Sequence, residues 1–162
     1  TTVKYLFPRT AAQMTFGQFV EIAAMLMLSW MGARANLRWL VILAMVFGIL
    51  RFALFALAGQ YELLALMWLG VSLHGPAFIF FSITGQLFVD RRVSDGMRGQ
   101  AQALLGLLGG SVGNTIGALS CGLLFSATGA GQTWVAWTLF WSGLSVAIVL
   151  CIGYFVAGYR QK

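Results

Sequence analysis

Charge is what this 162-residue sequence has least of: Lys, Arg, Asp and Glu make up 9% of it, and only four of those residues are acidic. Soluble domains carry roughly 25% charged residues. A chain with 60% hydrophobic residues and a mean hydropathy of +0.87 belongs in a bilayer instead. There, apolar side chains meet lipid and backbone polar groups must be satisfied within the chain itself. Potential metal ligands are equally scarce. One His and two Cys, Cys121 and Cys151, both inside apolar runs, leave a coordination shell unfilled and provide no disulfide framework. No Gly-x4-Gly-Lys-Ser/Thr loop is present to cradle a phosphate, and no cofactor is expected. The net charge of +6 comes from ten cations scattered at the ends of apolar segments, without the patch that nucleic-acid binding needs. No Ser/His or paired-Asp constellation suits intramembrane hydrolysis, so the chain is not read as an enzyme. The start has no signal-peptide pattern and residue 1 is Thr, so the chain is expected to begin partway through a longer protein.

What is present is length. A helix crossing an apolar core of about 30 Å needs roughly 20 residues, and five segments meet this test, near 10–31, 37–58, 61–88, 100–127 and 132–157. Period-2 alternation is absent, which argues against a β-barrel. The expected fold is therefore an all-α integral membrane bundle of five transmembrane helices. The short link around Gly59-Gln-Tyr-Glu62 forces an antiparallel hairpin. Arg34, Arg38, Arg91, Arg92, Arg98, Arg160 and Lys162 fall on one side, and Lys4, Arg9 and Arg51 on the other. The positive-inside rule places the first set in the cytoplasm and the visible N-terminus outside. Trp134, Trp137 and Trp141, with Tyr154 and Tyr159 at the opposite end of the last span, read as aromatic belts.

Glu21 is the one acid deep inside an apolar segment. A carboxylate at bilayer depth costs a few kcal/mol or more, and by default marks a transport or proton-handling site. Gln18 lies three residues away on the same helix face. A carboxylate beside an amide suits recognition of hydroxyls or ring nitrogens, and Glu21 is also a candidate proton carrier. The competing reading pairs Glu21 with a cation on another helix. In the third span, His74 precedes Gly75-Pro76, where the missing backbone donor loosens the helix and frees carbonyls to line a cavity. His74, Phe78 and Ser82 fall within about 80° of one another around that helix, a face suited to stacking and hydrogen-bonding a heterocycle. His74 serves equally well as a simple hydrogen-bond donor to a neighbouring helix. In the fourth span, Gly109, Gly113, Gly117 and Cys121 repeat every four residues, a groove for close helix packing. Asn114 beside them glues helices or touches substrate. Arg51 either snorkels to the outer interface or meets a buried acid.

Met14-Thr-Phe-Gly-Gln-Phe-Val-Glu21, Ile49-Leu-Arg-Phe-Ala-Leu-Phe55, His74-Gly75, Phe88-Val-Asp90 and Arg98-Gly-Gln-Ala-Gln102 together resemble the bacterial nucleoside permeases, the nucleoside:proton symporter family of the major facilitator superfamily. The motifs are short, but their order and spacing are specific, and the resemblance covers the family's helices eight to twelve. It implies a twelve-helix alternating-access transporter of the bacterial inner membrane that imports nucleosides with protons, with the N-terminal half and one further helix missing here. Gln18 and Glu21 fall on the family's Gln-x-x-Glu pair, part of its nucleoside site, and Arg51 on its Leu-Arg-Phe. The chain departs at Phe78-Ile79-Phe80-Phe81, where the family often reads Phe-Asp-Phe-Phe. It also lacks the superfamily's loop Asp within Gly32-Ala-Arg-Ala-Asn-Leu-Arg38. Isoleucine binds no proton, so Glu21 is left as the deep carboxylate.

The leading expectation is proton-coupled nucleoside uptake. Gln18, Glu21, His74, Phe78 and Ser82 would bind substrate, Glu21 would couple protons, and Gly109, Gly113, Gly117 and Asn114 would pack helices. A permease for a sugar or aromatic acid, or a non-transporting assembly subunit, are the alternatives. The expected partners are a small nucleoside, protons, the lipid bilayer and the other half of the transporter, with no nucleic acid.

Overall fold

The computed structural model describes residues 10–31 and 36–158. Lys4, Arg9, Arg34, Arg160 and Lys162, on which much of the charge asymmetry rests, and Tyr159 of the belt reading lie outside the described residues. Every apolar run is helical: α1 Thr10–Met31, α2 Leu37–Tyr61, α3 Leu64–Ser72 continued by α4 His74–Asp90, α5 Arg98–Leu105 continued through a π-helical segment Gly106–Val112 into α6 Gly113–Thr128, and α7 Trp134–Gly158. Four of the resulting rods, Leu37–Tyr61, Leu64–Asp90, Asp95–Thr128 and Trp134–Gly158, are long and apolar enough to cross a membrane. The other, α1, has 22 residues and carries Gln13, Gln18 and Glu21 in its length. The chain is a multi-pass membrane protein.

The breaks have local causes. Asn36 starts α2 by accepting a bond from the Arg38 backbone N–H at 3.0 Å, a side-chain cap for an orphan donor. Glu62 adopts the left-handed conformation (φ 56°) that closes α2 and returns the chain into α3 within two residues. Pro76 falls in the first turn of α4, where its missing N–H is tolerated. That placement divides the third rod at Leu73. Gly129 (φ 63°) ends α6, with the Ala130 N–H donating to Phe125 O at 3.2 Å, a C-terminal cap of the kind glycine favours.

Helix α2 is the central rod, packed against α7, α4 and α3, while α1 packs on α4 and α3. Two buried clusters lie along it. Phe55, Ala58, Met67 and Trp137 form one, and Ala24, Leu28, Leu40, Ala44, Ile79 and Phe80 the other. Trp137 locks α7 onto α2. Its ring lies where a Cβ on Gly59 would stand, and its indole N–H donates to Phe55 O at 2.6 Å. Trp137 is 1% exposed and Trp141 packs on Phe52 and Phe55, which corrects the belt reading of these two tryptophans. An indole suits a helix–helix groove as well as a headgroup region, because it joins a large apolar body to one donor. Of the belt residues read on the last span, Trp134, 48% exposed, and Tyr154, 84% exposed, do face outward.

Helices α5 and α6 pack differently. They touch α4 near one end and α7 near the other, and no residue between 98 and 128 is buried. An apolar cavity of about 710 Å³ opens beside Leu105, between α2, α4, α5 and α7.

Candidate functional site

Between the two clusters, the polar side chains of three helices converge. Glu21 lies near the middle of α1, Arg51 just past the middle of α2, and His74 at the first residue of α4, where the third rod breaks. Arg51 Nη1 is 2.8 Å from His74 Nδ1, and His74 Nε2 is 3.4 Å from Glu21 Oε1. The three form a chain of contacts, Arg51–His74–Glu21, with His74 bridging the cation and the acid.

Close backbone packing delivers His74 to Glu21. A Cβ on Gly75 would stand 2.7 Å from the Val20 carbonyl carbon and 2.8 Å from the Glu21 N, so only glycine lets α4 lie this tightly on α1. Aromatic rings support the guanidinium of Arg51 from its own helix: its Cζ is 5.5 Å from the Phe52 ring centre and 5.3 Å from that of Phe55. Such cation–π contacts hold a charge in an apolar setting. Arg51 neither snorkels outward nor touches the acid directly. It reaches the acid through the histidine.

These groups line a cavity of about 430 Å³ together with Gln13, Gln18, Met67, Val71 and Trp141, within the range of small-molecule sites. The walls are mostly apolar, with a few polar side chains among them. Of the five expected substrate-binding residues, Gln18, Glu21 and His74 lie here. Phe78 and Ser82 line a second cavity of about 270 Å³ against α5 and the π-helical segment, with Gln86, Gln102 and Asn114. Phe78 connects the two, its ring centre 5.9 Å from that of His74. Four of the lining residues named here escaped the sequence reading as site residues: Gln13, Met67, Val71 and Trp141. Gln13 was recoverable, since Gln13, Gly17 and Glu21 follow each other at four-residue steps on one face, and Gln13 is 6% exposed. Trp141 and Met67 carry no such sign.

In the glycine-rich span, a Cβ at Gly109 or Gly117 would meet nothing within 4 Å, and one at Gly113 would meet only Leu108 O of the same rod, at 2.8 Å. Gly109 lines the second cavity opposite Phe78 and Ser82, and among the described residues no side chain packs against Gly117. Ile79, where the resembling family often has an acid, is 1% exposed in the α1–α2–α4 cluster.

The chain is similar to curated proteins of Escherichia coli. It is 31% identical to YegT over 156 residues, 28% identical to the nucleoside permease NupG over 153, and 27% identical to the xanthosine permease over 146. These matches cover 87–92% of this chain but only 35–37% of the relatives, so the chain spans little more than a third of their length. The crystal structure of the nucleoside transporter NupG superposes with a TM-score of 0.76 at 27% identity, over 93% of this chain and 38% of that one. A mutant form of NupG superposes at 0.79, over 91% and 37%. The nucleoside H+ symporter family model matches residues 2–162, nearly end to end, and the chain belongs to that family.

Proposed function

We propose that these helices are part of a secondary transporter that carries nucleosides together with protons across the bacterial inner membrane by alternating access. The observation that carries this reading is a cavity halfway along the spans whose lining includes the contact chain Glu21–His74–Arg51. An acid at that depth, in a chain otherwise almost free of acids, is the expected mark of a transport path. Family membership supports the substrate class. Broken helices at membrane depth also recur at transporter binding sites, and His74 stands next to such a break.

In this reading Gln18 and Glu21 orient the ribose or base, and Glu21 takes up and releases the proton. His74, Phe78 and Ser82 extend the path from the first cavity into the second. The five rods correspond to helices eight to twelve of a twelve-helix transporter, and the remaining helices supply the opposite wall. Gly109, Gly113 and Gly117, with Asn114, form the face that slides against that wall. The visible N-terminus is outside and the cytoplasm lies on the side of Arg38, Arg91, Arg92 and Arg98.

The test is uridine uptake by the full-length protein in a transport-deficient host, with and without a proton gradient. Glu21→Gln at normal expression is expected to abolish accumulation. Concentrative uptake by that variant would reject Glu21 as the carrier. A well-expressed parent that moves a sugar or an aromatic acid but no uridine would reject the nucleoside assignment.

A further inference from the structure

The Arg51–His74 contact settles which histidine nitrogen holds the proton. A guanidinium has N–H donors and no acceptor. Arg51 Nη1 at 2.8 Å from His74 Nδ1 therefore requires a lone pair on Nδ1. The one proton of the neutral ring is then on Nε2, which is the nitrogen 3.4 Å from Glu21 Oε1. Turning the ring over would set carbon atoms against both partners, so the two contacts agree on its orientation. A second ring proton has room only if Arg51 withdraws.

We propose that Arg51 is a positioning residue that fixes His74 in the Nε2–H tautomer, so that His74 keeps its ring proton on the nitrogen 3.4 Å from Glu21 Oε1 and does not itself carry the transported proton. This deepens the symport reading and rests on it for the role of Glu21. That N–H is compatible with Glu21 in both its states, because a carboxylate and a protonated carboxyl both keep an oxygen that can accept. A proton loaded on Glu21 then has no vacant site on His74 to leak to while Arg51 stays in place. The groups facing His74 are few. Helix α1 brings Glu21 and the amides of Gln13 and Gln18, α2 brings Arg51, and the nearby lining of α3 and α7, Met67, Val71 and Trp141, has nothing that titrates. The neighbour along α4 is the Phe78 ring.

The first experiment needs no variant at Arg51. Full-length protein labelled with 15N-histidine, with the spectrum of His74→Gln subtracted, reports the ring directly. A neutral Nε2–H signal that persists from neutral to mildly acidic pH is expected; an Nδ1–H or imidazolium signal there would overturn the proposal. The second experiment follows uridine binding against pH. His74 lines the site, so His74→Gln is expected to weaken uridine binding while leaving the parent's ionisation in its pH profile. Arg51→Gln is expected to add an ionisation to that profile, which Arg51→Lys does not add and which vanishes in Arg51→Gln/His74→Gln. Loss of the parent profile in His74→Gln would make the histidine the carrier and reject the proposal, as would an unchanged profile in Arg51→Gln. A parent that binds no uridine would reject the nucleoside reading alone, since the spectrum still reads the tautomer.

Discussion

Two parts of this bundle both carry glycines and use them differently. Around α2, glycines are places where another element fits. Gly59 takes the Trp137 ring, and Gly75 takes the backbone of α1 at Val20 and Glu21. Along residues 98–128, Gly106, Gly109, Gly110, Gly117 and Gly122 stand in open space. Lipid is as apolar as leucine, so hydrophobicity gives helices in a bilayer no reason to associate, and close packing and polar contacts must supply it. The first region has both. Trp137 donates across to α2, and the Arg51–His74–Glu21 chain ties α2, α4 and α1. The second region reaches its neighbour α4 through Gln102 Nε2, which donates to Gln86 O at 2.9 Å, and through Arg98, 3.4 Å from Asp90. Polar side chains placed inside the bundle decide where it is tight.

The sharpest way to break the tight region is Trp137→Ala. It empties the Gly59 cradle and leaves Phe55 O without its donor. A cost of about 3 kcal/mol is expected, the low end for removing a large core aromatic in soluble proteins, read as a lowered unfolding midpoint in detergent or bicelles. Trp137→Phe should recover most of it, missing only the hydrogen bond. Next in size is Gly75→Ala. The added methyl meets the backbone of α1 and cannot be relieved by a rotamer change, so α4 must move away from Glu21. Overpacking of this kind costs about 1–3 kcal/mol, and the displacement of His74 should weaken uridine binding as well. A Gly75→Ala protein with parental stability and affinity would show that the two helices are not held this closely in the full-length protein.

Much of this architecture was legible in the sequence because a bilayer leaves few options. Apolar run length placed the helices, and the breaks fell at residues with a local reason, Asn36, Pro76 and Gly129. The site was half legible. Glu21 is conspicuous because an acid at that depth is costly, and Gln18 follows from spacing. The partner of Arg51 was not, since snorkelling and burial are both open to a cation two-thirds of the way along an apolar run. The choice depends on which residue of another rod lies opposite. Trp137 was misread for a related reason: local sequence does not say whether an indole donor finds a headgroup or a carbonyl of the next helix. The division of His74, Phe78 and Ser82 between two cavities likewise depends on α5 and α6, which helical geometry within one rod does not place.

A smaller effect of opposite sign is expected at Thr84, on the α4 side of the 710 Å³ cavity. It is 1% exposed and its hydroxyl has no partner in the structure. A buried hydroxyl that makes no bond carries a desolvation penalty, which an isosteric apolar group removes. Thr84→Val should therefore raise the unfolding midpoint, by an amount equivalent to about 1 kcal/mol. A lowered midpoint would mean that the hydroxyl finds a partner in the full-length protein.

The smallest change in stability is expected where the contrast between the regions is greatest, at Gly117. The same substitution that α1 blocks at Gly75 meets nothing within 4 Å here, and alanine is the better helix former. Gly117→Ala should leave the unfolding midpoint within about 0.5 kcal/mol of the parent, as for substitutions away from packed features. Transport is the more informative reading. If this face slides against the other half of the transporter, a methyl there hinders one state of the cycle, and uridine uptake falls while stability does not. A fall in both would make the glycine row a static packing groove. An unchanged protein by both measures would turn the row toward lipid and remove Gly109, Gly113 and Gly117 from the mechanism.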